Sequence, residues 1–126
     1  MSKGFYDYPE NGEKHLWSDL TELYQTTDEQ PSQQDLVDRL LYVQANETAK
    51  CYEENVVRTV ADANIGSIFG WGFAPNQGGT LQFINSVGVD KFVARSRELA
   101  QKYGARFEPA QILLEMAAKG EVFSDD

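Results

Sequence analysis

A chain of 126 residues with 41% apolar, 25% charged and 12% aromatic residues has the make-up of one globular domain, long enough to bury a core without staples. Its net charge of −9 is concentrated in the first half: residues 1–63 hold 13 acidic and 5 basic side chains, a net −8, and residues 64–126 hold 7 and 6, a net −1. That balance leaves no basic stripe for nucleic acid and no Lys/Arg-rich face for a membrane surface; no apolar run is long enough to span a bilayer, and Met1–Tyr8 lacks the apolar region of a signal peptide.

Residues 1–31 read as an irregular junction or lead-in, broken by Pro9, Gly12 and Pro31 and by the polar run Gln25–Gln30. Disordered tails are poor in aromatics, yet Phe5, Tyr6, Tyr8, Trp17 and Tyr24 fall here, so parts of the segment are expected to dock on a surface. A short helix over about Leu16–Tyr24 fits the spacing of Leu16, Leu20, Leu23 and Tyr24. His15, the single histidine, sits in polar surroundings and is read as solvated.

The first clear helix follows Pro31. Ser32 with Asp35 three residues on is a weak capping box, and Leu36, Leu40, Val43 and Glu47 then share one face of a helix running to about Glu54. The single cysteine, Cys51, lies on it. It has no partner for an internal disulfide, which fits a reducing, cytoplasmic compartment, and it reads as a small hydrophobe. Glu53 and Glu54 point apart on a helix and read as solvated. A second helix is expected over about Val56–Phe69, with Val57, Val60, Ala61, Ile65 and Ile68 as its stripe. Ile65–Gly79 holds five of the ten glycines between Phe69, Trp71 and Phe73, and reads as a packed loop.

Three more helices follow: Thr80–Ser86, Val89–Tyr103 with Gly104 beyond its end, and a last one with Pro109 at its first position and Gly120 after it. No alternating strand pattern appears. The expectation is an all-α, compact bundle of four to five helices over residues 32–126, preceded by the aromatic lead-in.

Chemistry is sparse. Gly70-Trp71-Gly72 begins like a dinucleotide fingerprint, but Pro75 stands where the third glycine belongs and a helix precedes it. There is no Walker motif. One histidine and one cysteine do not make a zinc site. Lys91, Arg95, Arg97, Lys102 and Arg106 form a local basic group, read as solvated or salt-bridged surface. No catalytic, cofactor-binding or metal-binding residue is assigned; Phe5, Tyr6, Tyr8, Phe69, Trp71 and Phe73 are candidate interface residues.

The segment Asp62–Gly79 resembles the C-terminal helical domain of L-3-hydroxyacyl-CoA dehydrogenases, most closely the last domain of the multifunctional fatty-acid oxidation enzymes of alpha-subunit type. The likeness continues through Val87–Val93, Tyr103–Pro109 and Met116–Phe123 and takes in Arg39–Tyr42 and Asn46–Ala49, so it covers about residues 33–123. Lys3–Tyr8 is similar to the Gly-Phe-Tyr-x-Tyr segment closing the first helical domain of those enzymes, and implies that the chain begins at that junction. At Asn76–Thr80 the chain departs from the family, which often has a proline after the glycine pair.

The resemblance implies a part of an NAD-dependent β-oxidation enzyme. It places hydride transfer, the His–Glu pair and the NAD fingerprint in an NAD-binding domain for which this sequence has no matching positions. This chain is then expected to bind no cofactor, to be inactive alone, and to cover the first helical domain of the same enzyme while bracing the acyl-CoA cleft. Deprived of that partner, it is expected to form a homodimer through its aromatic face. The alternative of a different class is a stand-alone acyl-CoA-binding or scaffold protein.

Overall fold

The computed structural model describes residues 4–24 and 27–125. Met1–Lys3 of the junction segment, Gln25-Thr26 of the polar run and Asp126 lie outside them. The chain divides into two compact units, residues 1–31 and 32–126.

In the first unit the lead-in is less irregular than its composition suggests. Tyr6–Asp7 (β1) pairs antiparallel with His15–Leu16 (β2), Tyr6 opposite Leu16 and Asp7 opposite His15. This two-stranded hairpin corrects the expectation of no strand. A pair of two-residue strands is too short to show alternation, so the pattern had nothing to register. Lys14 lies over the Tyr6 ring at 3.9 Å, and Trp17 N–H donates to the Phe5 carbonyl. A single short helix, Leu20–Leu23 (α1), replaces the longer one expected from residue 16, because Leu16 belongs to the hairpin.

The second unit is an all-α bundle. The Ser32 hydroxyl accepts from Asp35 N–H and starts α2, Gln33–Glu53. The chain leaves α2 through Asn55, which takes a left-handed φ of 58°. α3 runs Val60–Trp71, later than expected at both ends: Thr59 caps it by accepting from Asp62 N–H, so Val56 and Val57 are loop. At its far end Gly72 takes φ 76°, letting Phe73 N–H reach the Ser67 carbonyl and turning Phe73 inward. Gly66 and Gly70 therefore lie inside a helix, and the glycine loop shrinks to residues 72–79.

A 3₁₀ turn (Pro75–Gln77) leads into α4, Thr80–Val87. Gly79 brings α4 hard against α3: its φ is 109°, and a Cβ there would overlap the Asn64 backbone. Asn64 Oδ1 accepts from Leu81 and Gln82 N–H, each at 3.0 Å, and Ser67 Oγ accepts from Thr80 N–H, so α3 caps α4. α5 (Val89–Tyr103), a 3₁₀ turn at Ala105–Phe107 and α6 (Gln111–Lys119) complete the bundle. Pro109 lies outside α6, whose first turn is instead held by Asn46 of α2: its Oδ1 accepts from Ala110 N–H and its Nδ2 donates to the Glu108 carbonyl.

The core is aromatic at its centre. Tyr42 stacks on Phe92 at 4.4 Å, and Phe83 meets both edge-on. Leu81, Ile84, Leu99 and Leu113 are fully buried around them; each such side chain contributes roughly 1.5–3 kcal/mol through removal from water. Phe73 belongs here too, at 2% exposure, packed toward Phe83. That corrects its place among the interface aromatics. The turn at Gly72 aims it into the core, and sequence spacing alone carries no such information. The C-terminal tail is fastened by Asn85, which bonds both the N–H and the carbonyl of buried Phe123, and by Asp125, which accepts from Val60 and Ala61 N–H.

Candidate functional site

At 100° per residue, α2 presents Asp35, Asp38, Tyr42, Ala45, Asn46 and Ala49 on one side and Leu36, Leu40, Val43, Gln44, Glu47 and Cys51 on the other. The first side faces the core. It carries two carboxylates and an amide, each of which has found a partner. Arg95 of α5 bonds Asp35 through Nη2, Asp38 through Nε at 2.7 Å and Glu98 through Nη1. Tyr103 Oη donates to Asp35 at 2.6 Å, and Lys102 Nζ lies 3.5 Å from the same carboxylate.

These contacts set the ionisation of the cluster. The hydrogen bond from Tyr103 and then that from Arg95 hold Asp35 down at about 2. Donating to Asp35 raises Tyr103 in turn. Burial works against the charge of Arg95, but its three carboxylates outweigh it and hold the guanidinium protonated. Burial pushes Tyr42 up to about 12. All of this tuning ties α2 to α5.

The second side of α2 is where apolar groups meet solvent. Leu40 is 67% exposed, with Leu36 and Val37 beside it also exposed. A groove of about 510 Å³ runs between the C-terminal half of α2 and α3, its walls Thr48, Cys51, Val57 and Ala63. It is open because Gly66 and Gly70 put no side chain into it; a Cβ at either would meet nothing within 4 Å. Trp71 closes one end, its Nε1–H donating to Gln44 at 2.9 Å, and Glu47 and Asp62 sit on the rim.

A second groove, of about 500 Å³, lies on the opposite flank of α2 nearer its N-terminus, walled by Leu36, Leu40, Val43 and Phe107. Its rim is basic. The Arg39 guanidinium lies 4.5 Å from the Tyr103 ring and that of Arg106 4.8 Å from the Phe107 ring. Neither meets a carboxylate among the described residues.

The structure thus scatters the aromatics expected at an interface. Phe69 is 86% exposed on α3, and Trp71, 56% exposed, lines the first groove. Phe5, Tyr6 and Tyr8 are exposed on the hairpin of the first unit, where Tyr6 and Tyr8 lie 6.5 Å apart. His15 is exposed on that hairpin, 3.8 Å from Asp7. Glu53 caps α6 by accepting from Ile112 N–H, which the reading of it as merely solvated missed, and Glu54 is exposed. Of the basic group, Arg95 and Lys102 join the Asp35 cluster, Arg106 lies over the Phe107 ring, and Lys91 and Arg97 are exposed.

The residues that sequence reasoning missed are Arg39 and Arg106 as a pair, and Leu36 and Leu40 as an outward stripe. The available signal was the acid pair Asp35 and Asp38 set against that stripe, which makes two faces compete for the core. No helix among the described residues is long and apolar enough to cross a membrane, and no three metal-ligating side chains among them converge. The chain matches no protein-family model.

Proposed function

We propose that this chain is a helical module of an NAD-dependent 3-hydroxyacyl-CoA dehydrogenase of the multifunctional fatty-acid oxidation type. It acts in the cytoplasm and contributes packing surface while hydride transfer is carried by an NAD-binding domain. The observation that carries the reading is the outer side of α2 and α3, where two apolar grooves are lined by the exposed Leu40 and Trp71. The Asp62–Gly79 stretch, which bears the resemblance, supports it as well. Its polar residues Asn64 and Ser67 cap α4, Gly79 permits close helix contact, and Gly66 and Gly70 keep the first groove open. These are the duties of a docking module. In the longer enzyme the module would cover the first helical domain and brace the acyl-CoA cleft beside it.

The test is a trans-complementation assay with acetoacetyl-CoA and NADH. The chain alone is expected to oxidise no NADH. Added to a dehydrogenase reduced to its NAD-binding and first helical domains, it is expected to raise turnover saturably. NADH oxidation by the chain alone, or a truncated enzyme that neither binds it nor responds to it, overturns the reading.

One observation favours the second reading, a stand-alone acyl-CoA-binding protein: Arg39 and Arg106 flank an apolar groove, as phosphate-binding groups beside an acyl chain would. Calorimetric titration with a long-chain acyl-CoA separates the two, since only this reading expects saturable heat from the chain by itself.

A further inference from the structure

The loop that joins β1 to β2 carries the chain's one Asn-Gly pair, Asn11-Gly12. Every residue from Phe5 to Leu16 is exposed, Glu10 and Asn11 form a turn, and the Asn11 side chain makes no hydrogen bond among the described residues. Gly12 has no side chain to shield its own nitrogen from the Asn11 side-chain amide one residue back. The other five asparagines are guarded. Asn46, Asn64 and Asn85 each lie in a helix and commit the side-chain amide to distant backbone: Asn46 to Glu108 and Ala110, Asn64 to Leu81 and Gln82, Asn85 to Phe123. Asn55 is followed by the branched Val56, whose N–H donates to the Cys51 carbonyl at 2.9 Å. Asn76 is followed by Gln77, whose N–H donates to the Ala74 carbonyl at 3.0 Å.

From this we propose that Asn11-Gly12 is a self-modifying site, at which the chain converts its own asparagine to isoaspartate with water as the only co-reactant and so loosens the β1–β2 hairpin. The Gly12 nitrogen gives up its proton to solvent and attacks Asn11 Cγ. The bond from that nitrogen to Cγ forms, the Cγ–Nδ2 bond breaks, and Nδ2 takes up a proton and leaves as ammonia. A cyclic succinimide remains. Water then adds to one of its two carbonyl carbons and breaks the bond from that carbon to the Gly12 nitrogen, which regains its proton. Opening at Cγ gives aspartate with the main chain as before. Opening at the main-chain carbonyl gives isoaspartate, in which the chain runs on through Cβ and Cγ and is longer by one carbon. Across both steps one water is consumed and one ammonia is released, with nothing oxidised or reduced. The product adds a carboxylate to a segment that already carries Asp7, Glu10 and Glu13. The extra carbon lengthens one arm of a ladder only two residue pairs long, Tyr6 with Leu16 and Asp7 with His15, on which the seat of Lys14 over the Tyr6 ring depends. None of this rests on the dehydrogenase reading, because only the hairpin of the first unit takes part.

The test is storage of the full chain in neutral buffer made with heavy-oxygen water, followed by digestion in ordinary water and mass spectrometry. Trypsin releases Gly4–Lys14 as one peptide. That peptide is expected to gain one heavy oxygen at Asn11, divided between aspartate and isoaspartate, at least about tenfold faster than any other asparagine of the chain. Asn11→Gln, which would have to close a larger ring, is expected to abolish the gain at that position. Gly12→Ala places a Cβ beside the attacking nitrogen, within 2.9 Å of Pro9 Cγ, and is expected to slow the gain at least about tenfold. The hairpin is followed by proton NMR through Lys14, whose ammonium lies 3.9 Å from the Tyr6 ring centroid, so that its last methylene protons should be shifted upfield by the ring. The shift is expected in the fresh chain and in Asn11→Asp, and is expected to vanish in the separated isoaspartyl chain. A Gly4–Lys14 peptide that stays unlabelled, or label that enters another asparagine first, overturns the proposal. So does a Gly12→Ala chain that reacts as fast as the wild type, and so does an isoaspartyl chain that keeps the Lys14 shift.

Discussion

The two sides of α2 invert the usual arrangement of a surface helix. Its inner side buries Asp35, Asp38 and Asn46, while its outer side leaves Leu36 and Leu40 in water. α5 is ordinary by contrast, with Phe92, Val93, Leu99 and Ala100 inside and Lys91, Arg97 and Lys102 outside. The difference shows that the bundle can afford polar groups inside α2 only where another element brings a matching partner, as Arg95 and the Ala110 N–H do. It also shows that the leucines on the other side are not needed to hold the fold together. The inner side holds the bundle; the outer side leaves its leucines in water.

Substitutions should separate the two sides. The largest effect is expected for Arg95→Met, which leaves Asp35 and Asp38 without their guanidinium; the loss is roughly 3–4 kcal/mol, read by urea denaturation. Gly79→Ala comes next. It forces a Cβ onto the Asn64 backbone at a left-handed φ and should cost about 3 kcal/mol in the same measurement. Asn46→Ala leaves the Glu108 carbonyl and Ala110 N–H unpaired at the start of α6, for a loss of about 2 kcal/mol.

The pH dependence is smaller and has a definite sign. Asp35 is held at about 2 against an ordinary 3.8, so below 3.8 the unfolded chain binds more protons than the folded one. Its contribution is complete above about pH 4 and drains away as pH falls toward 2. Thermal unfolding across that window should be steeper in the wild type than in Asp35→Asn. The smallest change in stability is expected on the outer side, where Leu40→Gln should stay within about 0.5 kcal/mol of the wild type while weakening self-association.

Much of this architecture could be read from local chemistry. Ser32 and Asp35 mark the start of α2, Gly104 stands at the end of α5, and Gly120 takes the left-handed turn that ends α6. These signals act within a turn of chain, so the sequence carries them whole. Thr59 with Asp62 is the same signal again and would have placed the start of α3 correctly. Val56 and Val57 mask that signal, because their apolar character continues the stripe backwards.

What could not be read depends on distant partners. The side of α2 that turns inward is decided by Arg95, 57 residues from Asp38, and by the Glu108–Ala110 turn, more than sixty residues from Asn46. The burial of Phe73 depends on the left-handed turn at Gly72, and the hairpin of the first unit on strands too short to show alternation. The aromatic surface was expected from its composition, yet only Phe69 and Trp71 of the glycine segment lie on it. The pairing of Arg39 with Arg106, 67 positions apart, had no local signature.

Sedimentation velocity of Leu40→Asp beside the wild type tests most directly the claim that one side of α2 holds the fold and the other binds a partner, since it reports compactness and association together. The expected result is a compact monomer for Leu40→Asp and a dimer for the wild type. Two chains that sediment alike, or a Leu40→Asp chain that expands because the leucine was needed by the core, would contradict it.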